Sequence, residues 1–456
     1  MDRNAIALTH VCRSWREVLI ADSSLWTRFD CKNVDKTRVY IERSKSSGLD
    51  ISLLSYGGGG RLGDAFLLVA PHFSRLRSFS IVGTEDPFRN LTQHISCSAP
   101  LLRELTIDLN CVHYPTLNIA LFNGDLSSLR TLNLTGVGTR LPWKDLSNLT
   151  TFKLHYTPRG QVSITQLLDF FENSSRLRDV SLTRSTADSS DAPSERVVSP
   201  PCLEKLTIVA DPPAHSILLD HLIIPMQASL TLRSRLGRGE HSLRDFLPKE
   251  LGNLKNISSI SSVNICFDGF ERPMRLEGPV GGLFVFGSWG DSPPFVLDYR
   301  VFESLDHFTL SRTQGLVVTK FKTSPAGGVE DSPPYLALLR MEALRTLTLI
   351  QCNNLPFILA LNPDQNPSND IPCPELEEIV LYVEDRESFN ISELVTMTEE
   401  RALRGMKLPS ITIVGLGELL PGREVFELRE YVTKVDYKAG KNPPEWDAIP
   451  KDEHGR

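Results

Sequence analysis

The chain has 456 residues, of which 41% are hydrophobic and 23% are charged, and its formal net charge is -7 at pH 7. This apolar content excludes a wholly disordered chain, because it supplies the hydrophobic surface for a core, and the length allows roughly two to three domains. The negative charge argues against nonspecific attraction to nucleic acid or to an anionic membrane. We therefore expect neither as a partner.

The lack of a signal-peptide pattern and the scattered cysteines favour a cytoplasmic or nuclear protein. The N-terminal residues Met-Asp-Arg-Asn carry no signal-peptide pattern, and no apolar run approaches the ~18 residues that span a bilayer. The eight cysteines are scattered and form no CxxC pair. Reduced thiols of this kind are typical of the cytoplasm and the nucleus.

Residues 1–30 predict an amphipathic helix. Apolar residues recur at steps of three and four, while Arg13, Arg16 and Glu17 occupy the other face. The apolar stripe consists of Leu8, Val11, Cys12, Trp15, Val18 and Leu19. Periodicity alone favours packing of this stripe on the chain's own domain, and the alternative is a partner surface.

The particular residues of this segment are more informative than their spacing. Val-Cys-Arg-x-Trp-Arg from Val11 onward, a short aliphatic run, a polar turn and then Leu-Trp resemble the second half of an F-box. The resemblance implies helices that dock on a Skp-type adaptor and so connect a substrate-binding domain to a cullin-RING ubiquitin ligase. It assigns adaptor binding to Leu8, Val11, Cys12, Trp15, Leu25 and Trp26.

F-boxes normally begin with a Leu-Pro-x-Glu helix and a further amphipathic helix, which this sequence does not contain before the matching segment. We therefore expect either a shortened form of a longer protein or a chain whose adaptor binding is lost or weakened. Residues 31–53 then predict a connecting helix at 35–44, with Val39, Tyr40 and Arg43 placed to pack, followed by the first strand at 49–53.

A pattern close to L-x-x-L-x-L recurs along the chain. The spacings between its first six copies are 26, 27, 20, 28 and 26 residues, which is the period of a leucine-rich repeat. The L-x-L part alternates as a short strand whose two inward residues can be covered only by neighbouring repeats. The copies begin at Leu76, Leu102, Leu129, Leu149, Leu177, Leu203, Leu305, Leu344 and Leu376.

The segments between these strands predict helical crossovers, which parallel strands require. Residues 164–172 are an example, with four inward apolar side chains: Ile164, Leu167, Leu168 and Phe171. The sequence therefore predicts an α/β fold, a curved leucine-rich-repeat-like solenoid over residues 54–437. The Asn or Cys that such repeats carry after L-x-L is usually missing, so we expect degenerate repeats without a regular Asn ladder.

Several regions depart from the repeat. Ser, Pro, Asp and Gly predict mobile surface loops at 184–201, 324–334 and 362–374. Region 226–299 stays in the predicted solenoid, with strands at 264–267 and 283–286. A last strand at 408–414 and a last helix at 423–432 precede a loose tail at 438–456. The order of the Leu-Trp turn, a helix, a strand and degenerate repeats resembles fungal F-box proteins as a group.

No catalytic motif is visible, since the chain lacks a G-x-S-x-G elbow, H-E-x-x-H, a Walker A loop and a kinase signature. The run 57–60 consists of four glycines without a following Lys-Ser/Thr, so it predicts a flexible loop. We expect no enzyme activity, no cofactor and no metal site.

The repeats indicate where a target protein could bind. An arginine follows the first leucine in five copies, at Arg77, Arg103, Arg130, Arg178 and Arg345. A column of arginines could receive a carboxylate or phosphorylated segment through bidentate pairs; the alternative is that the repeat simply places a soluble residue there. With the resemblance, this predicts a noncatalytic recognition subunit of an SCF-type ubiquitin ligase with an unknown target. The competing hypothesis is a stand-alone repeat scaffold without a ligase link.

Overall fold

A computed structural model describes most of the chain, and contacts within it define two compact units. They comprise residues 1–233 with 248–255, and residues 234–247 with 256–456. The division falls within the predicted 54–437 solenoid, and not near residues 30 or 53. The described residues are 3–55, 62–83, 97–109, 116–117, 122, 126–136, 138–139, 141, 143, 146–156, 162–184, 195–210, 212–233, 243–267, 272–278, 280–287, 301–322, 332–365, 371–383, 389–415 and 422–439.

The first unit is a mixed α/β structure. Its described helices are α1 (Arg3–Leu8), α2 (Arg13–Ala21), α3 (Val34–Ser44), α4 (Leu62–Val69), α5 (Ile164–Asn173) and α6 (Pro212–Asp220). Its described strands are β1 (Arg28–Asp30), β2 (Leu49–Ser55), β3 (Leu76–Gly83), β4 (Glu104–Leu109), β5 (Thr116–Leu117), β6 (Thr131–Thr135), β7 (Gly138–Thr139), β8 (Thr151–His155), β9 (Asp179–Thr183), β10 (Lys205–Val209) and β11 (Ser229–Arg233). The first strand is thus β1, which precedes the predicted first strand, β2.

The main sheet of this unit is parallel throughout, in the order β1-β2-β3-β4-β6-β8-β9-β10-β11. The strands keep one register, so the predicted inward residues stack in rows beneath the sheet. One row is formed by Ile51, Phe79, Leu105, Leu132, Phe152, Val180, Leu206 and Leu230. Each is at most 2% exposed. This confirms the six predicted inward positions from Phe79 to Leu206, and Ile51 and Leu230 extend the same row.

The predicted helix at 164–172 is found as α5. Ser163 caps it, with its hydroxyl accepting from the Gln166 N–H and the Gln166 side chain accepting from the Ser163 N–H. The predicted inward side chains are buried, and so is Phe170. The cap and the apolar face together explain why the helix begins and packs here.

The ends of successive strands share a backbone conformation. Gly136, Tyr156 and Arg184 follow β6, β8 and β9 and have φ values of 70°, 56° and 50°. Each donates its N–H to the last carbonyl of the next strand, at 2.9, 2.7 and 2.7 Å. This left-handed residue turns the chain out of the sheet while keeping the ladder of hydrogen bonds complete.

Replacing Gly136 with alanine should lower the free energy of unfolding by about 2–3 kcal/mol, because of the left-handed backbone and steric overlap. A Cβ at this position would collide with the carbonyl oxygen of Leu109. Gly405→Ala is the matched control, since Gly405 has φ 81° and open space around it, and should cost about 1 kcal/mol. Equal losses in urea unfolding would contradict the steric explanation.

The second unit is also mixed α/β. Its described strands are β12 (Ser262–Cys266), β13 (Arg272–Glu277), β14 (Gly282–Gly287), β15 (Gly315–Thr319), β16 (Thr346–Ile350), β17 (Glu378–Val383), β18 (Leu408–Gly415) and β19 (Val432–Ala439). Its described helices include α7 (Pro333–Leu339), α8 (Leu355–Leu361), α9 (Ile391–Leu403) and α10 (Gly422–Tyr431).

Strands β12, β15, β16, β17, β18 and β19 pair in parallel in that order. By contrast, β12-β13-β14 is antiparallel, which corrects the prediction that region 226–299 continues the degenerate solenoid of parallel strands. The short connections joining β12 to β13 and β13 to β14 give antiparallel pairs, whereas parallel pairs need a longer crossover.

The repeat predicted to begin at Leu305 is wrong in its strand position. Ser304–His307 forms a 3-10 turn, and the strand is β15, in which Leu316 and Val318 pair with Leu347 and Leu349. Thr313 takes the place of the first leucine and is completely buried. Leu305, Phe308 and Leu310 are buried in the turn and after it, so they reproduce the apolar spacing of a strand.

The predicted last strand and last helix are found as β18 and α10, but a further strand, β19, follows them. Val432 and Val435 of β19 are buried, while Lys434 and Lys438 are exposed. Residues 440–456, most of the predicted tail, lie outside the described residues. So do 185–194, 324–331 and 366–370 of the three predicted loops, although α7 begins within the second prediction, at Pro333.

Candidate partner-binding surfaces

The N-terminal apolar stripe does not lie on one continuous helix. Helix α1 ends at Leu8, where the Thr9 hydroxyl donates to the Ile6 carbonyl at 2.6 Å. Cys12 is extended, and its Sγ accepts a hydrogen bond from the Trp15 N–H at 3.4 Å. The predicted helix across residues 8–19 is therefore broken between Thr9 and Cys12, because these two side chains satisfy backbone groups at a helix end and a helix start.

The apolar face of α2 is open to solvent. Trp15 is 52% exposed and Val18 is 66% exposed, while Val11 in the preceding turn is 62% exposed. Cys12 and Leu25 are also exposed, Leu8 is half-buried, and α2 contains no buried residue. A contiguous apolar face of this kind is typical of a protein interaction surface.

Trp26 takes a different place from the other predicted adaptor-binding residues. It is 0% exposed, and its Nε1–H donates to the carbonyl of Leu19 at 2.8 Å. The Tyr40 ring packs edge-on at 5.1 Å, and the Arg43 guanidinium lies 4.3 Å from the indole centroid. The structure thus corrects the assignment of Trp26, which packs in the core and holds the end of α2 in place.

Further contacts involve residues at the start and the end of α2. Arg16 Nε donates to the Thr9 carbonyl at 2.7 Å, and Lys45 Nζ donates to the Ala21 carbonyl at 3.3 Å. Ser23 and Ser47 share a hydrogen bond of 2.8 Å. Helix α3, found where the sequence predicted it, supplies Tyr40 and Arg43 to this anchor. These hydrogen bonds restrain the helix that carries the exposed apolar side chains.

Four of the five predicted arginines lie on one backbone ladder in the first unit. The Arg103 N–H donates to the Arg77 carbonyl at 2.8 Å, and the Arg130 N–H donates to the Arg103 carbonyl at 2.7 Å. Thr150 comes next, and Arg178 donates to its carbonyl at 2.9 Å. Arg345 belongs to the second unit, between Gln314 and Glu377. The predicted column is therefore a run of three arginines and a separate Arg178, without Arg345.

Intramolecular acids already neutralise part of this column. Arg178 forms an ion pair of 2.7 Å with Glu204, and Arg77 lies 3.7 Å from Asp50. Arg345 lies 3.7 Å from Glu375 and 3.8 Å from Glu377. These surface pairs contribute little stability, but they occupy the guanidinium groups that the sequence assigned to a target.

Three buried polar residues were not singled out by sequence reasoning. Cys352 stands at the cysteine position of L-x-x-L-x-L-x-x-C, counted from Leu344. Its Sγ donates to the Val318 carbonyl and accepts from the Phe321 N–H, and burial raises the pKa of this thiol to about 12. The repeat pattern itself could have identified it. His215 and Arg401 are also buried, but no spacing or motif marks them.

The described residues contain neither a metal-binding cluster nor a membrane-spanning helix, and the sequence matches no family model. Among the described residues, no group of three or more His, Cys, Asp or Glu is arranged to hold a metal ion. None of the described helices combines the length and the apolar character needed to cross a lipid bilayer. No protein-family model and no curated protein matches the sequence.

Proposed function

We propose that the chain is a noncatalytic substrate-recognition subunit of an SCF-type cullin-RING ubiquitin ligase, acting in the cytoplasm or nucleus. One observation carries the proposal: the F-box-like segment presents Trp15 and Val18 of α2, and Val11 in the turn before it, to solvent. Burying each such side chain against a partner is worth about 1.5–3 kcal/mol. A Skp-type adaptor, which connects to the cullin, is the partner that the resemblance implies for this face.

In this proposal the rest of the chain is a curved leucine-rich-repeat-like solenoid that binds the target protein. The repeat period, the common register of the parallel strands and the left-handed residue after successive strands support it. The hydrogen bonds of Cys352 support it in the second unit. The solenoid presents the target, and the chain itself transfers no ubiquitin.

The test is capture of the full chain by the Skp-type adaptor of its own organism, compared with a Trp15→Ala, Val11→Asp variant. Since both side chains are more than half exposed, the variant should keep the melting temperature of the wild type. Its adaptor affinity should fall by at least about thirtyfold, the effect of losing an interface hot spot.

Leu403→Asp is the matched control, because Leu403 is 73% exposed on α9 in the second unit. It introduces the same charge at an exposed apolar position and should leave adaptor capture unchanged. Capture that survives the double substitution, or a wild-type chain that captures no adaptor, would refute the ligase proposal. The second outcome would favour the stand-alone repeat scaffold.

A further inference from the structure

The three neighbouring arginines of the first unit are held close together by the backbone. The Arg77–Arg103 and Arg103–Arg130 hydrogen bonds place Arg77, at the start of β3, beside Arg103 and Arg130, which directly precede β4 and β6. Hydrogen-bonded neighbours of this kind lie about 4.8 Å apart. Like charges side by side on neighbouring strands repel each other and destabilise a sheet. Acids within the chain or an anionic partner would relieve this repulsion.

Among the described residues, an acid lies beside these three arginines at one end of the run only. Arg77 lies beside Asp50 and also donates to the Gly48 carbonyl at 3.1 Å. At the other end, Arg130 is followed on the ladder by neutral Thr150. The next arginine, Arg178, is paired with Glu204.

Arg103 and Arg130 keep most of their side-chain N–H donors unpaired within the described residues. Arg103 is exposed and has no side-chain hydrogen bond or ion pair to any described residue, and Arg130 uses Nη1 for the Asn148 carbonyl at 3.0 Å. The nearest acid in the sequence, Glu104, accepts from the Ser78 hydroxyl at 3.0 Å on the neighbouring strand. The guanidinium of Arg103 and the remaining N–H groups of Arg130 are thus available to a partner.

We infer that Arg103 and Arg130 form a receptor for an acidic segment of the target protein, held by an anionic group across the two guanidinium groups. This inference deepens the proposed function, on which its biological setting rests. The chemistry is bidentate pairing of planar guanidinium with a carboxylate or a phosphate. The chain as a whole has a net charge of -7 and repels acidic segments. Their binding would therefore depend on local attraction by these two arginines.

The test measures peptide binding to the full chain by fluorescence anisotropy at low ionic strength. The probes are fluorescein-labelled hexaglutamate, a Gly-Ser peptide with two phosphoserines, and hexaglutamine. The two acidic peptides should bind more tightly than hexaglutamine. The Arg103→Gln, Arg130→Gln variant should weaken their binding by roughly tenfold, the loss of one charge-assisted contact. A larger loss for the phosphopeptide identifies phosphate as the preferred group, a larger loss for hexaglutamate identifies the carboxylate, and an equal loss shows that the pair binds either anion.

Arg178→Gln is the matched control, because Arg178 lies on the same ladder but is already paired with Glu204. It should change peptide binding by less than about twofold. Acidic peptides that bind the double variant as well as the wild type, or that bind the wild type no better than hexaglutamine, would overturn the inference. Capture by the Skp-type adaptor is measured in a separate experiment. The Arg103→Gln, Arg130→Gln variant should be captured as well as the wild type, because α2 is unchanged.

Discussion

Replacing Arg401 with methionine should lower the free energy of unfolding by about 3–5 kcal/mol, because three buried carbonyl oxygens would lose hydrogen bonds to a charged donor. Arg401 on α9 is 1% exposed, and its Nη1 donates to the Pro372 carbonyl at 2.8 Å and to the Leu361 carbonyl at 3.5 Å. Its Nη2 donates to the Cys373 carbonyl at 3.0 Å. Methionine fills much of the volume but supplies no donor to these oxygens.

The matched control is Arg404→Met, one turn further along the chain. The Arg404 side chain is 28% exposed and pairs with Asp364, so its replacement should cost less than about 1 kcal/mol. Urea unfolding monitored by circular dichroism measures both losses. Equal losses, or a loss below about 1 kcal/mol for Arg401→Met, would show that these carbonyl contacts do not hold the helix in place.

The stability of the protein should fall by roughly 3 kcal/mol between pH 6.5 and pH 4 on account of His215 alone. His215 is completely buried on α6, its Nε2 lies 3.2 Å from the Ala210 nitrogen, and burial lowers its pKa from 6.5 to about 4. Between these values the unfolded chain binds a proton that the folded chain does not. The stability is therefore complete above about pH 6.5 and declines as the pH falls toward 4.

A His215→Gln variant checks this assignment, because the glutamine amide occupies a similar position to Nε2 without titrating. Its free energy of unfolding should depend less on pH in this interval, by about 1.4 kcal/mol per pH unit at the steepest part. His10→Gln, on an exposed turn, is the control for loss of a histidine. An unchanged pH profile in His215→Gln would mean that other groups cause the acid sensitivity.

The repeated strands were the most predictable part of the fold. Two inward apolar residues at fixed spacing fixed the strand positions of Phe79–Ile81 through Leu206–Ile208, because only neighbouring strands can cover them. The apolar spacing gave a wrong strand position where a polar residue replaces one of the leucines. Thr313 replaces a leucine before β15, and buried residues around Ser304–His307 reproduced the spacing without forming a strand.

The candidate surfaces were predictable only as sets of residues. Periodicity placed Trp15 and Val18 on one face, but it could not show that Thr9 and Cys12 break the helix. Nor could it separate Trp26, which is held by tertiary contacts with Tyr40 and Arg43. The arginine pattern was visible in the sequence, whereas neutralisation of Arg77 and Arg178 depends on Asp50 and Glu204 in other repeats.

Among the described strands, β19 pairs only with β18, so it gives the parallel sheet of the second unit a charged border. Lys434 forms an ion pair of 2.6 Å with Asp436, and Lys438 follows two residues later. An added strand from another molecule would have to bring its backbone against these hydrated groups, which natural sheets use to discourage such growth. A protein built from stackable strands thereby carries, in three side chains, a means to resist aggregation through its own edge.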